Sequence, residues 1–255
     1  MGVRGAPAAI RIGTAGWSIS AAQAEALPGE GTHLERYARR MNCVEINSSF
    51  YRSHRVSTYA RWADGTPDDF RFAVKLPKRI THESRLEGVD ELLAAFIAEA
   101  GGLGTKWAVA LVQLPPTLAF DDKAAGRFFG QLGRAFDGAV VCEPRHLSWF
   151  TPQAGQLLQQ CEVARAAVDP SKWPQASEPG GWTGPATAQR PAVFYHRWHG
   201  SPRVYWSTYE TAWLRERAQE LAQLPAHADR WCIFDNTAAG AALPNALQLE
   251  TLTSP

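Results

Sequence analysis

The chain has 255 residues, 45% of them apolar, and its 26 Lys and Arg face 25 Asp and Glu for a net charge of +1. That length fits one α/β barrel or two modest domains, and the apolar share is enough for a large core. The near balance of charge argues against a broad nucleic-acid-binding face while allowing a local basic pocket, and no apolar run approaches membrane-spanning length, so no membrane partner is expected.

The N-terminal Met1–Ala9 is short, lacks a long apolar stretch and does not read as a secretory signal; it is expected to be a flexible lead-in. Ile10–Thr14 reads as the first strand, followed by Ala15-Gly16-Trp17 and a stretch of mixed polarity to Gly31. Thr32 caps a predicted helix over His33–Met41, and Cys43–Asn47 is the second strand. An aromatic turn, Ser48–Arg52, leads to a helix around Val56–Ala63, and Phe70–Leu76 is the third strand. Asp90–Ala100 is helical by its apolar spacing and Gly101-Gly102 stops it. Trp107–Leu114 is the fourth strand, Asp121–Phe136 a helix, Ala139–Glu143 the fifth strand, and Thr151–Gln160 a helix with Pro152 at its first position. Ala164–Asp169 is the sixth strand. Pro170–Arg190 then breaks the pattern: it is rich in Pro, Gly, Ser and Trp and carries no helical stripe, so an irregular loop is expected in place of the sixth outer helix. Val193–Trp198 is the seventh strand, Tyr209–Leu224 a helix, Arg230–Phe234 the eighth strand and Ala241–Leu252 the closing helix. Eight strands, seven of them followed by a helix and the sixth by the irregular loop, without a linker predict a single TIM (β/α)8-type barrel over residues 10–255.

In such a barrel the residues at the strands' C-terminal ends share one rim, and alternation along each strand decides which of them point inward. Val44 and Ile46 are apolar and should face the helices, which turns Glu45 and Asn47 inward; Phe72, Val74 and Leu76 do the same for Ala73 and Lys75. Parity groups Glu143 with Arg145, and Tyr195 with Arg197 and His199. Gln113 and Asp169 end their strands and join the set, and with Ile233 read as outward-facing, Asn236 is preferred to Asp235. Burying this many polar groups costs free energy unless they pair with one another, as in Glu45–Lys75 and Glu143–Arg145, or hold a ligand.

The same segments resemble a known family. Cys43-Val44-Glu45-Ile46-Asn47-Ser48-Ser49-Phe50-Tyr51-Arg52, Phe70-Arg71-Phe72-Ala73-Val74-Lys75 with Thr81-His82, Val112-Gln113-Leu114-Pro115-Pro116, Glu143-Pro144-Arg145-His146 with Trp149-Phe150, Tyr195–Gly200 and Asn245-Ala246-Leu247 are similar to motifs of the YecE-like family, the domain of unknown function 72. The resemblance runs from Ile12-Gly13-Thr14 to Leu249 and implies a TIM barrel in a soluble protein; it implies no activity. The sequence departs from the family pattern at Ile19 and the Ala-rich stretch after it, at Pro144 and Leu147, and at Asp235 and Thr237 around Asn236.

Four cations, Arg52, Lys75, Arg145 and Arg197, converge in this reading, and arginine forks match carboxylate and phosphate oxygens, so a small anionic ligand is the expected partner. Glu45, Lys75, Glu143, Asp169 and His199 are the candidate acid–base groups. Trp17, Asn47, Tyr51, Arg52, Gln113, Arg145, Arg197 and Asn236 are the candidate binding groups. No GxGxxG or Walker pattern follows any strand, so no organic cofactor is expected. No metal is expected either, because the extra histidines of a multi-zinc site are lacking and lysine and arginine stand nearby. The reading is a hydrolase- or isomerase-type enzyme acting on a small anion. The alternatives are a protein that binds or cleaves nucleic acid with its cationic mouth and aromatic loops, and a non-catalytic ligand-binding barrel. Cys43, Cys142, Cys161 and Cys232 stand singly among apolar neighbours, as expected of reduced buried thiols in a cytoplasmic protein.

Overall fold

The structure, a computed structural model, describes residues 10–184, 192–225 and 228–254; the predicted lead-in Met1–Ala9 lies outside them. The barrel wall consists of β1 (Ile10–Thr14), β2 (Cys43–Ile46), β3 (Arg71–Lys75), β4 (Trp107–Gln113), β5 (Ala139–Glu143), β6 (Val163–Arg165), β7 (Ala167–Asp169), β9 (Val193–Trp198) and β10 (Asp229–Phe234). A two-residue strand, β8 (Gly180–Gly181), pairs antiparallel with β6, whereas the wall strands pair in parallel. Hydrogen bonding links β2-β3-β4-β5-β6-β8 in one sheet and β1-β10-β9-β7 in the other.

The two sheets meet at two seams. Between β1 and β2, Ala15 bridges Glu45 and the Gly16 amide donates to the Glu45 carbonyl at 2.9 Å. At the other seam the predicted sixth strand is one run in two halves. β6 and Ala166 bond to β5, the Ala166 amide reaching the Cys142 carbonyl at 2.9 Å, and β7 then bonds to β9. This handover is the stagger that a tilted parallel strand makes in a barrel.

Helices α1 (His33–Ala38), α2 (Ser48–Tyr51), α3 (Val56–Asp64), α4 (Asp90–Ala100), α5 (Asp122–Ala135), α6 (Pro152–Gln160), α7 (Thr211–Gln223) and α8 (Ala242–Thr253) connect the strands. Their starts follow local chemistry. Thr32, Asp121 and Thr151 each accept a backbone N–H of the first turn, and Glu35 returns a bond to the Thr32 amide. Between β7 and β9 the described residues hold a single 3₁₀ turn, Pro174–Ala176, and β8, but no α-helix; residues 185–191 of the predicted irregular loop lie outside the description.

Alternation along the strands builds two cores. Val44, Ile46, Phe72, Val74, Val112, Cys142, Cys232 and Phe234 face the helices. Cys43, Ala73, Val109, Leu111, Val141, Ala166, Tyr195, Trp231 and Ile233 fill the barrel interior. Gly13 belongs to the interior layer, in register with Ile233, and a Cβ there would stand 2.2 Å from the Cys43 carbonyl oxygen. None of the four cysteines forms a disulfide, and burial pushes the thiols of Cys43, Cys142 and Cys232 up, which keeps them protonated and inert. No helix of the described residues is long and apolar enough to cross a membrane.

Candidate functional site

The inward-facing rows end in charge at the C-terminal rim. Arg197, at 0% exposure, is the hub. It enters on β9 one step above Tyr195, and its fork grips Glu45 at two points, Nε to Oε2 at 2.9 Å and Nη2 to Oε1 at 2.7 Å. Its Nη1 donates to Glu143 Oε2, and Nη2 also reaches Asp235 Oδ2 at 3.0 Å. One guanidinium thus bridges carboxylates from β2, β5 and the end of β10. Tyr195 adds a hydroxyl to Glu45 Oε2 at 2.9 Å, while Gln113 and Arg145 both donate to Glu143 Oε1, at 2.9 and 2.8 Å.

The electrostatics follow from these contacts. Burial by itself would raise the Glu143 carboxyl, but Arg197 and then Arg145 outweigh it and hold Glu143 well below the usual carboxylate range. Burial likewise opposes ionisation of Asp235, and Arg197 together with the His199 hydrogen bond reverses it, leaving its pKa lowered. For Arg197 the cost of burial is overcome by Glu45, Glu143 and Asp235, so it stays charged. Lys75 differs. Burial, followed by repulsion from Arg197, brings its ammonium down to about 8 despite Glu45, Glu143 and Asp235.

His199, just past β9, carries the one ring nitrogen of the cluster that is left open. Its Nδ1 is 3.0 Å from Asp235 Oδ2, which as a carboxylate accepts the Nδ1 proton. Its Nε2 is buried without a hydrogen-bond partner, and Glu143 Oε1, at 3.7 Å, is too far to supply one. The ring abuts a cavity of about 220 Å³ whose walls include Pro116, Pro144, Val168, Trp173 and Tyr205, and whose polar groups are Glu143, Arg145, Lys172 and His199.

Of the residues expected at the rim, Glu45, Lys75, Gln113, Glu143, Arg145, Arg197 and His199 converge. The Glu143–Arg145 pair forms, whereas Glu45 pairs with Arg197 in place of Lys75. Six placements are corrected. Asp169 faces away from the interior and accepts the Tyr209 hydroxyl at 2.7 Å, because Ala164 and Ala166 point inward and parity gives the inner position to Val168. Asn236 donates to the Ser207 carbonyl and to Asn245 on α8, which ties the last strand to its helix. Its inward place belongs to Asp235, because Ile233 lies in the barrel interior. Asn47 begins the turn into α2 with a helical backbone, so strand parity no longer applies to it; its Oδ1 is buried and unpaired, and it makes no bond to the cluster. Tyr51 and Arg52 are exposed and line a separate groove with Lys78, Arg79 and Glu99, because the helical turn of α2 carries them outward. Trp17 packs edge-on against Trp62 of α3, 5.0 Å between centroids.

The sequence reading missed Asp235 as a partner of His199 and Lys172 as a wall of the cavity, whereas Trp173 and Tyr205 are loop aromatics that it places near the strand ends. A signal for Asp235 was present: the interior of a packed barrel is itself apolar, so an apolar Ile233 was no reason to turn it outward. Lys172 carries no such signal, since it sits on a loop. Among the described residues no group of three His, Cys, Asp or Glu side chains is arranged to hold a metal ion.

The same framework recurs in other proteins. The model of the family described as "Protein of unknown function DUF72" matches residues 11–255. The chain belongs to the DUF72 family. Among curated relatives, the UPF0759 protein YecE of Escherichia coli strain K12 is 35% identical over 120 residues, 47% of this chain and 43% of YecE; the aligned chain thus spans under half of that relative's length. A crystal structure of a DUF72 family protein from Enterococcus faecalis V583 superposes with a TM-score of 0.76 at 22% identity, covering 96% of this chain and 95% of that one. A xylose isomerase-like TIM barrel/4-hydroxyphenylpyruvate dioxygenase fusion protein superposes with a TM-score of 0.55 at 16% identity, covering 96% of this chain and 43% of that one. These likenesses establish a DUF72 chain with a TIM-barrel-type fold.

Proposed function

We propose that this DUF72 protein is an enzyme that binds a small anionic metabolite in the cavity beside His199 and transfers a proton through His199 Nε2. The observation that carries the reading is the buried, unpartnered Nε2 next to the cavity, with Nδ1 fixed by Asp235. A carboxylate on Nδ1–H selects the neutral tautomer whose Nε2 holds the lone pair and stabilises the ring once it is protonated. That is how a general base is oriented for proton abstraction from carbon or for activation of water.

The cavity supports a small occupant, since about 220 Å³ falls below the roughly 300–1,000 Å³ of sites that take drug-sized ligands. Its cations support an anionic one. Arg197 is saturated by carboxylates, so the anion-binding role passes to Arg145, which spends only Nε on Glu143, and to exposed Lys172 at the rim. Arg145 would hold a carboxylate or phosphate with the rest of its fork. The apolar walls would exclude water from the reacting carbon or phosphorus.

The test is a titration of ¹⁵N-histidine-labelled protein with inorganic phosphate and with pyruvate, followed at the His199 ring. A saturable shift is expected, with affinity weakened roughly tenfold or more in Arg145→Met, the loss of one charge-assisted contact worth about 1.4 kcal/mol. Absence of any saturable shift at His199 for either anion would remove the proposal.

A further inference from the structure

Lys75 ends β3 at the barrel mouth, yet it takes no part in the ion-pair network around it. The carboxylates nearby are spent on other partners: Glu45 on Arg197 and Tyr195, Glu143 on Arg197, Arg145 and Gln113, Asp235 on Arg197 and His199. Lys75 Nζ forms no hydrogen bond or ion pair with the described residues, and it is not among the side-chain nitrogens sealed from solvent. It lies over the face of the Phe50 ring, 4.1 Å from its centre, and that ring also meets His82 at 4.9 Å and Tyr51 at 5.0 Å. The residue as a whole is buried, with 8% of its surface exposed. An amine that is desolvated, held by a ring face but by no carboxylate, and reachable is the arrangement of a nucleophile, whereas a charge-balancing lysine would hold a carboxylate.

We propose that Lys75 is a nucleophilic amine that forms a Schiff base with a small aldehyde or ketone entering the barrel mouth. In the first step the Nζ lone pair forms a bond to the carbonyl carbon, the C=O π pair moves to oxygen, and the amine proton passes to that oxygen to give a carbinolamine. In the second the hydroxyl takes a proton from solvent and leaves as water while nitrogen supplies the C=N pair, giving an iminium whose N–H proton returns to solvent to leave the imine. Carbonyl compound and amine thus become imine and water, with no oxidant or reductant. The charged groups facing Lys75 are Arg197, Glu45, Glu143 and Asp235, with His82 against the same Phe50 ring and itself under the charges of Arg145 and Lys78. Burial and the Arg197 charge lower the Lys75 pKa to about 8, so the amine has a sizeable neutral fraction near neutral pH. His82, lowered to about 4 by burial and then by Lys75 and Arg145, adds no positive charge beside it. The covalent step stands independently of His199; removal of a proton from the carbon next to the iminium rests on the reading of His199 as the base.

Reductive alkylation with glyoxylate and cyanoborohydride, followed by peptide mass mapping, tests it on the unmodified chain. Lys78, Lys106, Lys123 and Lys172 serve as internal references. Lys75 is expected to react roughly tenfold or more faster than these at pH 7, as a lowered pKa requires. Its rate should level off above pH 8, Lys75→Arg should abolish that adduct, and His199→Gln should retain it. Modification of Lys75 no faster than the other four, or a rate still climbing at pH 10, overturns the proposal. Because the rates are compared within the wild-type chain, the outcome does not depend on whether the Lys75 variant folds, and it leaves the phosphate titration of His199 as a separate result.

Discussion

At the scale of single residues, Arg197 decides whether the site exists. Its guanidinium neutralises part of a cluster in which Glu45, Glu143 and Asp235 are all buried or nearly so. Removing one partner of a buried ion pair strands the others without water, which costs about 3–5 kcal/mol. Arg197→Met is therefore expected to lower unfolding free energy by about that amount in urea titrations, far more than loss of an exposed pair such as Arg40–Glu250. A loss under about 1 kcal/mol would mean that the three carboxylates find protons or solvent without strain. Several residue placements were legible in the sequence through parity alone: Glu45, Lys75, Glu143, Arg145 and Arg197. Parity failed where the strand stopped. Asn47 had already turned into α2, and Asp169 lay one position past the last inward residue, Val168.

At the scale of elements, the contrast is between local signals and close approach. The helices α3 to α8 fall within a residue or two of where apolar spacing and capping residues put them, since those signals act within one turn of chain. Asp121 illustrates it: its Oδ1 accepts the Ala124 amide at 2.7 Å, and Asp121→Ala should cost about 1 kcal/mol of stability while leaving the His199 titration unchanged. Gly13 is the opposite case. Nothing in the sequence around it announces that strand β2 passes so close that a methyl group would meet the Cys43 carbonyl at 2.2 Å. Gly13→Ala is expected to lower the thermal midpoint sharply, by more than the Asp121 variant does, because either β1 or β2 must move and the bridge from Ala15 to Glu45 sits directly above. Equal midpoints for the two variants would show that the β1–β2 seam yields easily.

At the scale of the whole molecule, acid should weaken the fold in two overlapping stages. His196 is kept neutral by burial, its pKa lowered to about 4, and His82 is lowered to about 4 as well. Below pH 6.5 the unfolded chain takes up protons that the folded chain refuses, so stability falls from there down to about pH 4. Glu143 and Asp235 have folded pKa values below their unfolded ones of 4.5 and 3.8, so their contribution is intact above those values and is lost as the pH falls below them towards the folded pKa of each. Urea midpoints measured from pH 7 to pH 4 should fall throughout; a flat profile between pH 7 and pH 5 would contradict the lowered pKa of both histidines.

What the sequence determined by itself was the order and kind of the elements, and with them the barrel. Hydrophobic period, caps and strand-end charge are short-range properties that survive without coordinates. The tertiary structure alone decided the partners: Arg197 in place of Lys75 for Glu45, Asp235 in place of Asn236 for the interior, Val168 in place of Asp169 for the cavity. The physical reason is that pairing at a barrel rim depends on strand stagger and on where each strand gives way to its loop. A shift of one residue there moves a side chain to the other face of the wall, and neither quantity is written in any local stretch of chain.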